Sequence, residues 1–289
     1  MPKEVSRGLA AVPFHMEVRM TQVLLVAYET RPDAVELAVT AKEQLESLGI
    51  DTSIAKVGDI PRIPELTTDS IVVSLGGDGT FLRAARFAHG ASATVMGVNL
   101  GRVGFLVPAQ PSEIVSQVIA YRDGGAVVEE RIVLDVRLSD GTHDIAINEV
   151  VVERSQAGHM VRLRTFIAGD EFLTYSADGV LVATPTGSTG YNFSAGGPVM
   201  GTNLPNMVMT PIAPHFTVDR SIVVSADTEI SMSVLDRPGL VVADGVRLGS
   251  IEPGESLTIC SHATPIRVAL PQDSKFGARL RHSLREGHA

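Results

Sequence analysis

Tryptophan is absent from this 289-residue chain, and aromatic residues make up only 4% of it. Its cores must therefore be aliphatic, and the 44% apolar content supplies enough Val, Ile, Leu and Ala to fill them. Cys260 is the single cysteine, which excludes an intramolecular disulfide and an all-cysteine metal site. Its surroundings, SLTICSHA, hold no Gly-rich elbow or adjacent base, so a buried strand position is expected rather than a nucleophile. No apolar run approaches the ~18 residues of a membrane span, and the first twenty residues lack a signal-peptide core. A cytoplasmic location is expected. Dense basic runs are also missing. With 24 Lys and Arg against 33 Asp and Glu, the formal charge is −9, which suits neither a nucleic-acid nor a membrane partner.

What is present falls into two textures. Residues 23–27 (VLLVA) suit a buried parallel strand, and across 31–48 Ala34, Leu37, Ala38, Ala41, Leu45 and Leu48 recur at helical spacing. Ile54 and Val57 mark a weaker strand, residues 71–75 (IVVSL) a strong one, and 81–89 a short helix ending at Gly90. A strand over 94–98 and a helix over 111–122 complete a unit whose alternation predicts a parallel sheet covered on both faces. From Ala126 onward, Val-, Ile- and Leu-rich runs are separated by turn signals: SDGT at 139–142, AGD at 168–170, DRPG at 236–239 and EPGE at 252–255. That pattern predicts hairpins. Residues 274–285 read as a last helix. The expected division is a weakly ordered tail (1–20), an α/β domain (21–123), an all-β domain (124–270) and a C-terminal helical segment (271–289) packing back on the first domain, with the ligand cleft between the domains.

Chemistry concentrates in a few segments. Gly76-Gly77-Asp78-Gly79-Thr80 follows the strong strand and opens a helix. Such a turn offers free N–H groups to an anion, although a plain strand-to-helix turn uses the same residues. Asp78 argues for chemistry, because a carboxylate repels phosphates unless it takes a proton or helps hold a metal ion. No Gly-Lys-Ser/Thr follows, so this is not a Walker A loop. Residues 178–198, DGVLVATPTGSTGYNFSAGGP, gather the hydroxyls of Thr184, Thr186, Ser188, Thr189 and Ser194 around Tyr191. A stretch this small and polar beside apolar VLVA suits a polar ligand pocket. Tyr191 is either a stacking platform for a base, commonly worth about 1–3 kcal/mol, or a cap on the core. Asn148 and Glu149 interrupt the apolar DIAINEVVVER. On a strand, Asn148 would share a face with Val150 and Val152, and Glu149 with Ile147 and Val151. Buried, the pair needs partners such as ribose hydroxyls; at a strand end both reach water. Residues 97–106 (GVNLGRVGFL) fit a crevice loop after a parallel strand. His215, in PIAPH at 211–215, reads as structural, and Asp244-Gly245 is uninformative alone.

Together these segments resemble the NAD kinase family in order and spacing. The family carries GGDG followed by Thr or Asn, then GxNxGxxGFL, an Asn-Glu pair, DGxxxxTPTGSTAY with SAGGP, and PxxPH; here they stand at 76–80, 97–106, 148–149, 178–198 and 211–215. The likeness covers about residues 20–270. GGDG is shared with phosphofructokinases and diacylglycerol-type lipid kinases, whereas TPTGST with SAGGP is far more specific. The resemblance implies a phosphofructokinase-like α/β domain, a C-terminal all-β domain, and a homodimer or homotetramer with NAD between the domains, sometimes touched by a neighbouring subunit. It implies phosphoryl transfer from ATP, with Mg²⁺ or another divalent cation, to the adenosine ribose 2′-hydroxyl of NAD. Asp78 would accept the proton, with Gly79 beside the ligand, while Gly76, Gly77 and Thr80 receive the donor phosphates. Asn148 and Glu149 would hold ribose hydroxyls, and Asp178 would lie against the dinucleotide. Thr189, Gly190, Tyr191, Asn192, Phe193 and Ser194 would line the adenosine pocket, and His159 stands where some members contact ligand. Two departures stand out: Gly190 replaces the usual Ala of GSTAY, and Tyr175-Ser176-Ala177 precedes Asp178 where some members have a basic residue. The second leaves NAD against NADH open. Polyphosphate is an alternative donor, since no adenine-specific donor motif is evident. A lipid kinase would need a cationic amphipathic segment, and none is visible. A dinucleotide sensor would gain nothing from Asp78 beside phosphates.

Overall fold

The computed structural model describes residues 20, 22–58, 66–101 and 105–286. Apart from Met20, the expected tail over 1–20 lies outside the described residues, as do positions 102–104 of the GVNLGRVGFL segment. The chain opens with β1 (Gln22–Ala27), α1 (Pro32–Ser47), β2 (Thr52–Lys56), β3 (Ser70–Gly76), α2 (Asp78–Gly90) and β4 (Thr94–Asn99). A 3₁₀ turn at Pro111–Glu113 leads into α3 (Ile114–Arg122), and β5 (Val127–Arg131) follows. The hairpin-rich part holds β6 (Leu134–Leu138), β7 (His143–Ala146), β8 (Glu149–Arg154), β9 (Val161–Ile167), β10 (Asp170–Ala177) and β11 (Gly179–Ala183). After the one-turn helix α4 (Tyr191–Ser194) come β12 (Asn206–Ile212), β13 (Ile222–Ser225), β14 (Ile230–Val234), β15 (Gly239–Ala243), β16 (Val246–Ile251) and β17 (Ser256–Ser261). The chain then runs through β18 (Ile266–Leu270) into α5 (Phe276–Glu286).

The first sheet has the order β2-β1-β3-β4-β18-β5. Its strands pair in parallel except for β5, which runs antiparallel to β18. Successive residues of a strand face opposite sides. Leu24, Val26 and Val72 therefore pack with α2 and with Phe276 and Leu280 of α5, while Val23, Leu25, Ile71 and Val73 pack with α1 and α3. That is why these strands read as unbroken apolar runs rather than as alternations. The C-terminal helix thus packs back on the α/β layer, as the sequence leads one to expect.

Strand membership differs from the expectation in one respect. β5 and β18, both inside the stretch expected to be all-β, belong to the first sheet. Their sequences, VVEER and IRVAL, carry strand character but nothing that says which sheet will take them. The other twelve strands form two antiparallel six-stranded sheets, β10-β9-β14-β17-β6-β7 and β13-β12-β11-β8-β15-β16. Val136, Leu163, Ile230 and Ile259 of one meet Val150, Val152, Val182 and Val241 of the other in a shared core, as in face-packed sandwiches. On the outer side of the second of these sheets, Val151, Leu181, Ala183 and Val208 pack with Met200 beneath the loop after β11. Cys260 lies in β17 as expected, but half-buried rather than enclosed; burial raises its thiol pKa.

Candidate active site

The strand order of the first sheet reverses direction at β1, with β2 to one side and β3 to the other. Open α/β sheets bind ligands outside the carboxyl ends of their strands at such a switch point. A cavity of about 340 Å³ lies there, walled by Tyr28, Arg31 and Arg83 and floored by Gly77, Gly79 and Thr80. Gly77 is the N-cap of α2, so the first amides of the helix open towards this space. Gly76 has a different task. A Cβ there would run into the Thr80 side chain, so this glycine lets the first turn of α2 close over the end of β3. Arg31 donates to the Leu100 carbonyl at 2.6 Å and pairs with Asp33 at 2.5 Å. Arg83 has no ion-pair partner among the described residues, which leaves its charge available at the cavity.

Asp78 is the first residue of α2. The Leu106 amide donates to its Oδ1 at 3.4 Å. Burial raises its pKa, and the Leu106 and Phe105 amides offset part of that. A carboxylate whose pKa is lifted towards neutrality is a better base than a solvated one.

Asn148 and Glu149 do not share a continuous strand. β7 ends at Ala146 in one sheet of the sandwich and β8 begins at Glu149 in the other, so Ile147 and Asn148 form the bend that carries the chain across. Strand alternation therefore does not set where the pair points. Three groups fasten the bend. The Thr184 amide donates to the Asn148 carbonyl at 2.8 Å, the Thr184 hydroxyl donates to the Ile147 carbonyl at 2.7 Å, and the Gly187 amide donates to Thr184 Oγ1 at 3.0 Å. Gly187 lies so tightly against Asn148 that a Cβ would overlap its carbonyl. The TPTG run thus holds the Asn-Glu pair in place.

Asn148 Oδ1, Glu149 Oε2 and Thr186 Oγ1 are buried without partners. An orphaned buried polar group costs roughly 1–3 kcal/mol, so three of them around one bend mark a place where a ligand completes the bonding. Burial, and then the nearby Asp244 charge, push the Glu149 carboxyl up to about 7. Tyr191 is about 40% exposed. Burial raises its phenol pKa, and the Glu153, Asp178 and Glu149 carboxylates raise it further, which places Asp178 and Glu149 on the Tyr191 side of the fold. A Cβ on Gly190 would meet Gly187 O at 3.4 Å and Glu149 Oε2 at 3.6 Å. An alanine would therefore fit, at the edge of the space before the pair.

Other expected residues separate by role. Asn192 is fully buried. Its amide nitrogen donates to the Ser188 and Pro198 carbonyls at 3.1 and 2.9 Å, and its oxygen accepts from the Thr210 hydroxyl at 2.7 Å. Its side chain braces the loop from within. Thr189 is partly exposed, and Phe193 and Ser194 are exposed on the loop surface beside Tyr191. His159 is exposed at a cavity of about 160 Å³ shared with Arg154 and Arg237. Arg154 reaches Asp178 at 3.3 Å. A cation thus stands beside Asp178 after all, supplied by β8 rather than by the residues just before the aspartate. Arg154 and Asp244 escape sequence reasoning because each acts across a gap that no local pattern records, whereas Arg83 follows the GGDGT turn by one helical turn on α2 and could have been found from that spacing.

The family model described as "ATP-NAD kinase N-terminal domain" matches residues 9–125, and the one described as "ATP-NAD kinase C-terminal domain" matches residues 147–269. The chain belongs to the NAD kinase family. An NAD kinase from Gemmatimonas aurantiaca is 35% identical over 230 residues, spanning 77% of this chain and 80% of that protein. The solved NAD kinase from Archaeoglobus fulgidus in complex with ATP superimposes with a TM-score of 0.72 at 28% identity, covering 91% of this chain and 98% of that one. Yeast NADH kinase complexed with NADH shares the fold, with a TM-score of 0.76 at 21% identity over 93% and 89% of the two chains. This kinase phosphorylates NAD with ATP as donor.

Proposed function

We propose that Asn148 and Glu149 grip the adenosine ribose of NAD, with Asp78 as the base that deprotonates its 2′-hydroxyl. The observation that carries this is the pair of orphaned oxygens, Asn148 Oδ1 and Glu149 Oε2. Both are acceptors, so the missing partner is a donor, and ribose hydroxyls are donors of suitable size and spacing. Tyr191 flanks the adenine, Asp178 lies along the dinucleotide, and His159 stands further out at the rim. The donor phosphates lie over Gly77, Gly79 and Thr80, with Arg83 and Arg31 against their charge. As the new O–P bond forms at the 2′-oxygen, the hydroxyl proton passes to Asp78 and the bond from the γ-phosphorus to the β,γ-bridging oxygen breaks. NADP and ADP leave.

No set of three His, Cys, Asp or Glu side chains converges as a metal cage among the described residues. This donor set fits Mg²⁺ carried on the donor phosphates, since that ion keeps several waters and takes few protein carboxylates. Asp78 is the carboxylate of the turn, and the bound ion would neutralise charge on the transferring group. The donor contacts proposed here are to phosphate rather than to a base, which supports polyphosphate as an alternative donor. The apolar side chains of Phe216, Val218 and Val223, exposed near the edge strand β13, support assembly into a homodimer or homotetramer. No helix among the described residues is long and apolar enough to cross a membrane, and we place the enzyme in the cytoplasm.

Arg83→Gln tests the donor assignment. Loss of a charged hydrogen bond worth about 1.5–3 kcal/mol should raise KM for ATP roughly 10- to 100-fold, with KM for NAD little changed. A shift confined to NAD would place Arg83 on the wrong substrate. Glu149 carries a separate signature in stability. Folding raises its pKa from 4.5 to about 7, so the folded state binds this proton more tightly. The resulting stabilisation is full below about pH 4.5 and is lost as pH climbs through about 7. Glu149→Gln has no such proton, and its melting temperature should decline less than that of the parent over this interval. Parallel curves would show that Glu149 titrates normally.

A further inference from the structure

We propose that Arg86 is a positioning residue that ties the helix bearing Asp78 to the bend bearing Asn148 and Glu149. The inference rests on the assignment of that pair to the ribose. Arg86 lies on α2, eight residues beyond Asp78 and about 12 Å further along the helix axis. Its guanidinium leaves the α/β layer and donates to the Ile145 carbonyl and the Asp144 carboxylate on β7. It also stands 3.5 Å from the Asp244 carboxylate. One planar group with several donors can meet three acceptors at once in a way that lysine cannot.

Asp244 carries the connection to the bend itself. Its two oxygens accept from the amides of Ile147 at 2.8 Å, Asn148 at 2.7 Å and Glu149 at 3.3 Å. The side chain is only 2% exposed. Asp244 and Gly245 form the two-residue turn between β15 and β16, with φ of +48° and +76°. Two positive φ angles are the signature of a type I′ hairpin, in which Asp is tolerated and Gly preferred. The turn aims the carboxylate inward at the three amides, whereas a side chain at a hairpin tip ordinarily points to water. Arg86 is the cation facing this buried carboxylate, and Asp144 is the other acid it serves. The path from catalysis to recognition therefore runs from Asp78 along α2 to Arg86, then through Asp244 to the backbone of Asn148 and Glu149. Ile147 packs in the same core as Phe81, Phe105 and Leu106, so the two halves of the path share one apolar support.

A base must approach its proton within hydrogen-bond reach, and a misplacement of about 1 Å can cost on the order of 100-fold in rate. Arg86→Met should therefore lower kcat at least tenfold and raise KM for NAD about fivefold, while KM for ATP stays within about twofold. Arg86→Lys keeps the charge but cannot span three acceptors, so it should fall between Arg86→Met and the parent. Asp244→Asn should show the same split, and Arg86→Met/Asp244→Asn should be little worse than the poorer single variant, because both cut one path. A melting temperature lowered with kcat and both KM values unchanged would overturn the proposal, as would full additivity in the double variant. If Arg86→Met does not fold, Arg86→Lys decides by the same split. Asn148→Ala separates the two readings. If it leaves KM for NAD unchanged, the ribose assignment fails; if it raises KM while the Arg86 variants move neither constant, the positioning role alone fails.

Discussion

Asp78→Asn should bind NAD nearly as the parent does and turn over about 10²- to 10⁴-fold more slowly, the range over which positioned general bases act. The substitution keeps the shape of the side chain and an oxygen to accept the Leu106 amide, so the turn around it has no reason to move. What it removes is the ability to take a proton. Burial lifts the Asp78 pKa above the ordinary carboxylate value of 3.8. Loss of the charge should therefore leave the protein as stable as before or slightly more so, which separates lost catalysis from lost fold. The acid limb of kcat/KM in the parent, which reports the free enzyme, should likewise lie above the pH at which a solvated aspartate titrates. Formation of NADP can be followed with an NADP-specific dehydrogenase, and NAD binding by calorimetry. Normal turnover by Asp78→Asn would remove the base from the mechanism.

Glu129→Gln should cost about 3–5 kcal/mol of stability, because it takes the anion from a cluster that holds two buried cations. Glu129 on β5 accepts from Arg131 at 2.7 and 3.0 Å and from the Thr202 hydroxyl at 2.9 Å, and Arg279 of α5 stands 3.7 Å away. The Arg131 and Arg279 side chains are only 3% and 7% exposed. Burial alone would raise the Glu129 pKa, but Arg131, Thr202 and Arg279 outweigh it and hold the carboxyl below its usual 4.5. This stabilisation is present above that pH and disappears as the medium is acidified through the lowered value. Thermal unfolding at neutral pH should show a fall on the order of 10 °C for the variant. A fall of only one or two degrees would mean that the two arginines find other acceptors.

The parts of the site legible in the sequence are those built from contiguous residues. GGDGT occupies the strand-to-helix turn that its glycines suggest. Within the 178–198 stretch, β11 gives way to a loop of small polar residues, 184–198, over the outer face of a sheet. Function could be read there because local backbone needs and local chemistry use the same residues. Position along a path through space was not legible. Asp244-Gly245 reads as an ordinary hairpin turn, and nothing in ADGV tells that its carboxylate caps three amides a hundred residues earlier in the chain. Asn148 looked like a strand residue because the apolar residues on either side belong to two different sheets. Asn192 has the composition of a ligand contact, yet its three hydrogen bonds are all internal. A polar residue in a loop and one aimed at a ligand look alike until burial and partners are known.

The insertion of β18 between β4 and β5 has a consequence for how this protein is made. β4 is buried along its whole length, and one of its edges finds its partner only in residues 266–270. During synthesis the α/β layer therefore waits with an open apolar edge until nearly the entire sandwich has emerged. An open strand edge is a template for wrong pairing, and contacts this distant in sequence form slowly. A fragment ending near residue 125 would keep the phosphate-binding turn yet lack the strand that closes its sheet. The first sheet is therefore complete only once residues 266–270 have been made.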